Sequence, residues 1–173
     1  MSEKKISFWH PASLVCTVFG VGKIPFAPGT WGSLVGVGLF VLFPLLAIFT
    51  LVPLFFIGAA AANHYGQISK KNDASEIVID EVIGQWVTIL LGFYLAHQFK
   101  LNPYLTELCT VCWIIKFIIF FVTFRFFDIV KPFPVGWIDR NIKGGLGVML
   151  DDVVAGIFAG CTSALIFWLI TLI

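Results

Sequence analysis

Of the ten acidic residues in the chain, six stand beside apolar sequence: Asp80 and Glu81 in one stretch, then Asp128, Asp139, Asp151 and Asp152 in another. Charges next to membrane-like sequence are costly unless they are paired, hydrated or bound to a metal. Carboxylates gathered in one place repel one another and attract a divalent cation. The plainer account is a set of helix N-terminal acids, favoured by the helix dipole and paired with Arg125, Lys131 and Arg140. That account serves for Asp80 alone. It does not serve for six acids brought to one face.

Residues 124–152 read FRFFDIVKPFPVGWIDRNIKGGLGVMLDD. Arg125 and Asp128 are three apart and share a helix face, and Lys131 follows three further on. Pro132 and Pro134 stop that helix. Beyond them, Lys131, Arg140 and Lys143 supply positive charge, while Gly144, Gly145 and Gly147 allow backbone N–H groups to approach a ligand. An oxyanion such as phosphate suits this combination; an interfacial loop with a basic collar is the alternative. Residues 25–33, PFAPGTWGS, add a Pro28-Gly29 turn signal, with Thr30 or Ser33 placed to cap the next helix. Free N–H groups at such a helix start form an anion site, which makes Gly29 and Thr30 candidate ligand contacts. His10, His64 and His97 share no metal-ligand spacing. Cys109 and Cys112 form a C-x-x-C without the second ligand pair that zinc needs, so they read as small side chains on a helix face.

The elements that must position these groups are apolar. Hydrophobic residues make up 59% of the 173-residue chain and charged residues 12%, and 19 residues are Phe. A soluble domain is roughly 45–50% apolar and about 25% charged. The mean hydropathy of +0.97 therefore implies surface that faces lipid. The formal net charge of +1 argues against a nucleic-acid partner. No A-x-A-like cleavage site follows the basic N-terminus, so no cleavable signal peptide is expected. The expected fold is an all-α integral membrane protein, one membrane-embedded domain over residues 1–173, with about four to five hydrophobic helices. Residues 13–22 are too short to span and read as interfacial or re-entrant. Residues 33–62 carry no charge, but a single helix of that length would reach about 45 Å, more than a bilayer core of about 30 Å needs. A hairpin turning near Pro44 fits better, with a short arm 33–43 and a longer arm 46–66 kinked at Pro53. Further helices are expected over 80–97, opened by Asp80 and Glu81, over 107–127, ending in Phe-rich sequence and Arg125, and over 148–173, opened by Asp151 and Asp152. Polar loops cover 67–79, 98–106 and 128–147. Trp9, Trp31, Trp86, Trp137 and Trp168 flank apolar runs as interfacial belt residues do.

With five crossings and the N-terminus in the cytoplasm, Lys4, Lys5, Lys23, Lys70, Lys71, Arg125, Lys131, Arg140 and Lys143 share the cytoplasmic side. Only Lys100 lies opposite, and Lys116 falls within a span. That bias sets the orientation, and all six acids fall on the same cytoplasmic face.

The segments PGTWGS (28–33), DEVIGQW (80–86), FRFFDIVKPFP (124–134) and WIDRNIKGGLGVMLDDVVAG (137–156) resemble the phosphatidylglycerophosphatase A family. The resemblance covers roughly residues 13–160. It implies a bacterial inner (cytoplasmic) membrane enzyme, multi-pass, with its active site facing the cytoplasm. The implied reaction is Mg²⁺-dependent hydrolysis of phosphatidylglycerophosphate to phosphatidylglycerol and phosphate. Read onto this chain, the expected metal ligands are Asp80, Glu81, Asp128, Asp151 and Asp152. The expected catalytic groups are Asp80, Asp128, Asp152 and Lys131, and the expected substrate contacts are Arg125, Arg140, Lys143, Thr30, Gly29 and Gly145.

Other phosphatase chemistries leave marks that are absent from this sequence: a D-x-D-x-T/V run, a histidine in a PSGH-like loop, or an arginine placed after a cysteine as in C-x₅-R. Attack by water activated by one or two divalent cations remains, with Lys131, Arg125 or Arg140 neutralising developing charge. A transporter or proton relay is the rival class, because intramembrane carboxylates also mark ion pathways, although it would place acids at mid-depth in several helices. A non-catalytic scaffold would not need acids and bases to converge.

Overall fold

Gly84 and Gly156 determine how the bundle closes. A Cβ on Gly156 would stand 2.5 Å from the Gly84 carbonyl oxygen, and one on Gly84 would stand 2.7 Å from the Asp152 carbonyl oxygen. Hydrogen at these two positions lets two helix backbones touch, as small residues commonly do between helices in lipid. The computed structural model describes residues 6–70, 74–99 and 110–172. Within them lie seven α-helices: α1 (Pro11–Cys16), α2 (Pro28–Leu42), α3 (Pro44–Ser69), α4 (Ile79–Gln98), α5 (Thr110–Val130), α6 (Val135–Asn141) and α7 (Gly145–Thr171). No strand occurs among the described residues.

The helices α4 and α7 form the most extensive interface, and α5, α2 and α3 pack around them. On α4 the seam runs through Gly84, Thr88 and Gly92, one turn apart. On α7 it runs through Asp152, Gly156 and Gly160, with a Gly160 Cβ 3.0 Å from the Thr88 carbonyl oxygen. Phe120 and Phe124 of α5, both fully buried, fill the space beside Gly92 and Gly84. The two helices therefore run parallel, with both N-termini at the same end of the bundle.

The all-α membrane architecture holds. Three helices, α3, α4 and α7, are long and apolar enough to cross a membrane, and α5 has 21 residues. The expected hairpin is present: α2 ends at Leu42, and Pro44 starts α3 with Phe43 between them. At 15 residues, α2 reaches about 22 Å, short of a full crossing. It is held to α4 by the indole of Trp86, which donates to the Gly36 carbonyl oxygen at 2.9 Å. Trp86 is 3% exposed, so it is a buried inter-helix tie and not a belt residue. The segment 13–22 runs from within α1, which ends at Cys16, into a 3₁₀ turn at Val21–Lys23. It packs on α3, and the Cys16 carbonyl oxygen accepts the Val78 N–H at 2.8 Å, which pins the chain entering α4.

Three local expectations are corrected. Pro28 and Gly29 are the first residues of α2 and not a preceding turn; the N-cap is Ala27, and neither Thr30 nor Ser33 caps. The Ser33 hydroxyl instead donates back to the Gly29 carbonyl oxygen at 2.9 Å. The stretch 128–147 is not all loop, since α5 continues to Val130 and α6 follows. Finally, α7 begins at Gly145, so Asp151 and Asp152 lie in its second turn and no acid stands in its first. The dipole account of N-terminal acids thus applies to Asp80 and Glu81 but not to Asp151 and Asp152. Lys4, Lys5, Lys71, Lys100 and Cys109 lie outside the described residues, as does most of the 98–106 loop.

Candidate active site

The parallel contact of α4 and α7 brings Asp80 and Glu81, in the first turn of one helix, against Asp152 of the other. One carboxylate oxygen from each of the three lies within 4.8 Å of the others. Asp80 is 9% exposed and Asp152 3%. The side-chain oxygens Glu81 Oε2, Asp152 Oδ2 and Asp151 Oδ1 are buried without a hydrogen-bond partner. Buried carboxylate oxygens left unpaired are rare because each forfeits its hydration. Hard oxygen donors converging in this way are the ligand set that Mg²⁺ prefers, so the residues present fit a divalent cation.

Opposite the acids stand cations held by their own partners. Lys131 follows α5 directly, in a left-handed backbone conformation at φ 45° that turns the chain out of the helix. Its ammonium donates to Asp151 Oδ2 at 2.6 Å and to Asp139 Oδ1 at 2.9 Å. Burial alone would lower the lysine pKa, but the hydrogen bonds that Lys131 donates to Asp151 and Asp139, and their negative charge, outweigh burial and hold the pKa well above the ordinary value. The Arg125 guanidinium, one α5 turn deeper than Asp128, forms a short ion pair with that carboxylate. Its Nη1 also reaches Ser33 Oγ at 3.4 Å. Gly29 is what allows α2 to sit here, because a Cβ would collide with Glu81 Oε1 and come within 3.2 Å of Arg125 Nη1.

The acids and Lys131 line one cavity of about 380 Å³, which Ala74, Ser75 and Ile77 close from the α3–α4 connection. Asp80, Glu81, Asp128, Asp139, Asp151, Asp152, Lys131, Arg140 and Lys143 all border it, along with Gly144 and Gly147. Of the residues anticipated as substrate contacts, Arg140 and Lys143 line the cavity. Arg125 and Gly29 lie beneath it, against Glu81 and Asp128. Thr30 does not line the cavity, and Gly145 faces away from it. A Cβ on Gly145 would strike the Ala59 carbonyl oxygen and stand 2.6 Å from the Asn63 amide nitrogen, so this glycine serves the packing of α7 on α3.

Asp139 has a role that the sequence reading missed, as the second anchor of Lys131. It escaped because α6 escaped; the signal was the Val135, Ile138, Ile142 spacing that follows Pro134. Gln85 is fully buried, one turn below Glu81, with both amide atoms unpartnered. The neighbouring Tyr65–Glu76 hydrogen bond ties α3 to the connection above the cavity.

Fold and site together define a membrane-embedded α-helical protein with a carboxylate-lined, cation-flanked pocket at one end of its bundle. The model of the family described as phosphatidylglycerophosphatase A matches residues 14–167, and the chain belongs to that family of membrane phosphatases. A phosphatidylglycerophosphatase A from Haemophilus influenzae is 35% identical over 90% of this chain and 88% of its own length. One from Escherichia coli K12 is 31% identical over 92% of this chain and 85% of its own. A protein of Bacteroides thetaiotaomicron named putative phosphatidylinositol-3-phosphatase is 37% identical over 91% of this chain and 94% of its own. No solved structure matches.

Proposed function

We propose that the protein hydrolyses the terminal phosphomonoester of phosphatidylglycerophosphate, releasing phosphate and phosphatidylglycerol, with Mg²⁺ as cofactor. The observation that carries this reading is the convergence of Asp80, Glu81 and Asp152 within 4.8 Å, opposite Lys131, in one cavity. Family membership supports the phosphatase chemistry. Asp80, Glu81 and Asp152 would hold the cation. When bound, Mg²⁺ would polarise the phosphate oxygens and acidify a water. Asp128 and Asp151 form ion pairs with Arg125 and Lys131 and border the same cavity. Lys131 presents a fixed positive charge to the phosphate as charge moves onto the leaving oxygen. Arg140 and Lys143, on the exposed rim, meet the incoming dianion first.

The relatives' names carry two lipids, one with a glycerol and one with an inositol headgroup. Both place a phosphomonoester on a polyol that is itself held by a phosphodiester. Purified protein in detergent should release phosphate from phosphatidylglycerophosphate with Mg²⁺ and stop in excess chelator. Faster release from phosphatidylinositol 3-phosphate would replace the substrate, and no release from either would sink the reading. The basic-residue bias supports a site that faces the cytoplasm, and the family resemblance supports a bacterial inner membrane. In a background lacking the native cysteines, cysteines substituted at Ser69 and Asn141 should resist an impermeant thiol reagent in intact cells, and labelling of either would reverse the orientation.

A further inference from the structure

Beside the acid cavity lies a second hollow of about 330 Å³, between α3 and the start of α7. Its upper rim is polar, with Asn63, Lys143 and Gly144; its floor is apolar, with Phe56, Ala60 and Leu146. Lys143 and Gly144 line both hollows and form the wall that the two share. Phe56 in turn borders a third, wholly apolar cleft of about 260 Å³ between α3, α4 and α7, with Val52, Val87 and Val153. Polarity thus falls in order from acid cavity to rim to apolar cleft, along the seam of two helices long enough to cross the bilayer.

The rim also holds an unclaimed charge. Lys131 is taken by two carboxylates, Arg125 by Asp128, and the Arg140 Nε donates to the Gly136 carbonyl oxygen at 2.8 Å. Among the described residues Lys143 alone of these cations makes no ion pair or side-chain hydrogen bond. An ammonium between the acid cavity and an apolar groove is placed for a second phosphate that carries a diacylglycerol tail.

We infer that the α3–α7 groove is the lateral binding site for the substrate lipid, with Lys143 on the phosphodiester and one acyl chain along Phe56, Leu146 and the cleft below. The inference rests on the lipid-phosphatase reading and adds to it how the lipid is recognised. The monoester is handled by the acid cavity. The diester and the chain are handled by the groove, so a phosphomonoester lacking either part binds less well.

A phosphatidylglycerol carrying a photoreactive acyl chain, irradiated with the full-length protein in vesicles, reads the groove without turnover. Adducts should concentrate on Phe56, Ala60 and Leu146, and should fall severalfold with excess unlabelled phosphatidylglycerol or in Lys143→Gln. Adducts spread equally over Ile114 and Ile118 of α5, without competition, would mean annular lipid and overturn the inference. So would an Ala60→Cys protein that, with the native cysteines replaced by serine, forms a disulfide-linked dimer, since the groove would then belong to a second copy. In kinetics, Lys143→Gln should raise KM about tenfold, as expected for one lost charge-assisted hydrogen bond, with kcat changed less and Lys143→Arg restoring most of it. Ala60→Trp, which fills the exposed groove, should raise KM for the long-chain lipid more than for its dihexanoyl analogue. Normal phosphate release with both variants equal to wild type would defeat the groove and leave the phosphatase reading standing. Groove adducts without phosphate release would do the reverse.

Discussion

The ammonium of Lys131 lies 2.6 Å from an oxygen of Asp151, and Asp151 is adjacent in sequence to Asp152, which belongs to the acid triad. The principal cation of the site is thus fixed to the same helix turn that supplies a proposed metal ligand, and the spacing between them is set by α7. Asp139 of α6 holds the other side of the ammonium.

This arrangement fixes how Lys131 responds to pH. Its folded pKa is raised, so its ion-pair stabilisation is fully present below the ordinary lysine value and is lost only as pH rises through the raised one. Lys131 therefore stays charged throughout the range in which such enzymes are assayed. The alkaline limb of kcat should not move in Asp139→Asn. Lys131→Met should lose about 10²–10³-fold in kcat, the range seen when one electrostatic stabiliser is removed. An alkaline limb that shifts in Asp139→Asn would assign that limb to Lys131 and contradict the geometry.

Removing charge from the triad should separate stability from activity. Asp80→Asn or Asp152→Asn relieves repulsion among buried carboxylates, so the metal-free variant should melt at or above the wild-type temperature. The same variants should lose most turnover. Millimolar Mg²⁺ should raise the wild-type melting temperature, because a ligand that binds only the folded state stabilises it, and should leave Asp152→Asn unmoved. Equal Mg²⁺ shifts in both proteins would remove Asp152 from the ligand set.

The glycine seam should be as sensitive as the acids it positions. Gly156→Leu has no room beside the Gly84 carbonyl and the Val87 Cβ, the latter 3.2 Å from the added carbon. Overpacking of this kind costs about 1–3 kcal/mol. Here it should also part Asp80 and Glu81 from Asp152, so activity should fall further than stability alone accounts for. Melting curves and phosphate release on the same sample test this; full activity in Gly156→Leu would show that the helices need not touch.

Cys16 should be unreactive while the protein is folded. Burial, with a further push from Asp80, raises its thiol to about 12. In a protein with Cys109, Cys112 and Cys161 replaced by serine, a membrane-permeant maleimide should modify Cys16 only after denaturation. Fast modification of Cys16 in the folded protein would mean that α1 does not stay packed on α3.

The membrane class, the α2–α3 hairpin and the shared face of the acids were legible because each rests on sequence-local signals: uncharged apolar runs, Pro44, and acids clustered in the polar connections. The pairing inside the site was not legible. Nothing local distinguishes Asp151, which holds Lys131, from Asp152, which joins the triad; the difference is the direction each faces on α7 after Gly145 sets the start of that helix. Trp86 reads as a belt residue beside polar sequence, yet the Gly36 carbonyl fifty residues away claims its indole. Gly145 reads as a ligand-facing glycine, and only the approach of α3 shows what its missing side chain makes room for.

The helix levels bear on the shape a lipid must take here. Gly145 sits against Ala59 and Asn63, where the apolar run of α3 gives way to polar sequence, and Gly58, next to Ala59, sits against Met149, one turn past Gly145. Asp152, seven residues past Gly145, lies about 10 Å further along the helix, away from the end of the bundle that carries Lys143. Lys143, just before α7, stays at the upper level. A phospholipid in an undisturbed bilayer holds its distal phosphate outermost, above the diester. With the diester at Lys143, the distal phosphate has to bend back and descend past it to meet the acids. The bound headgroup is then a hairpin, and its linker must be flexible enough to reverse within the length of one polyol.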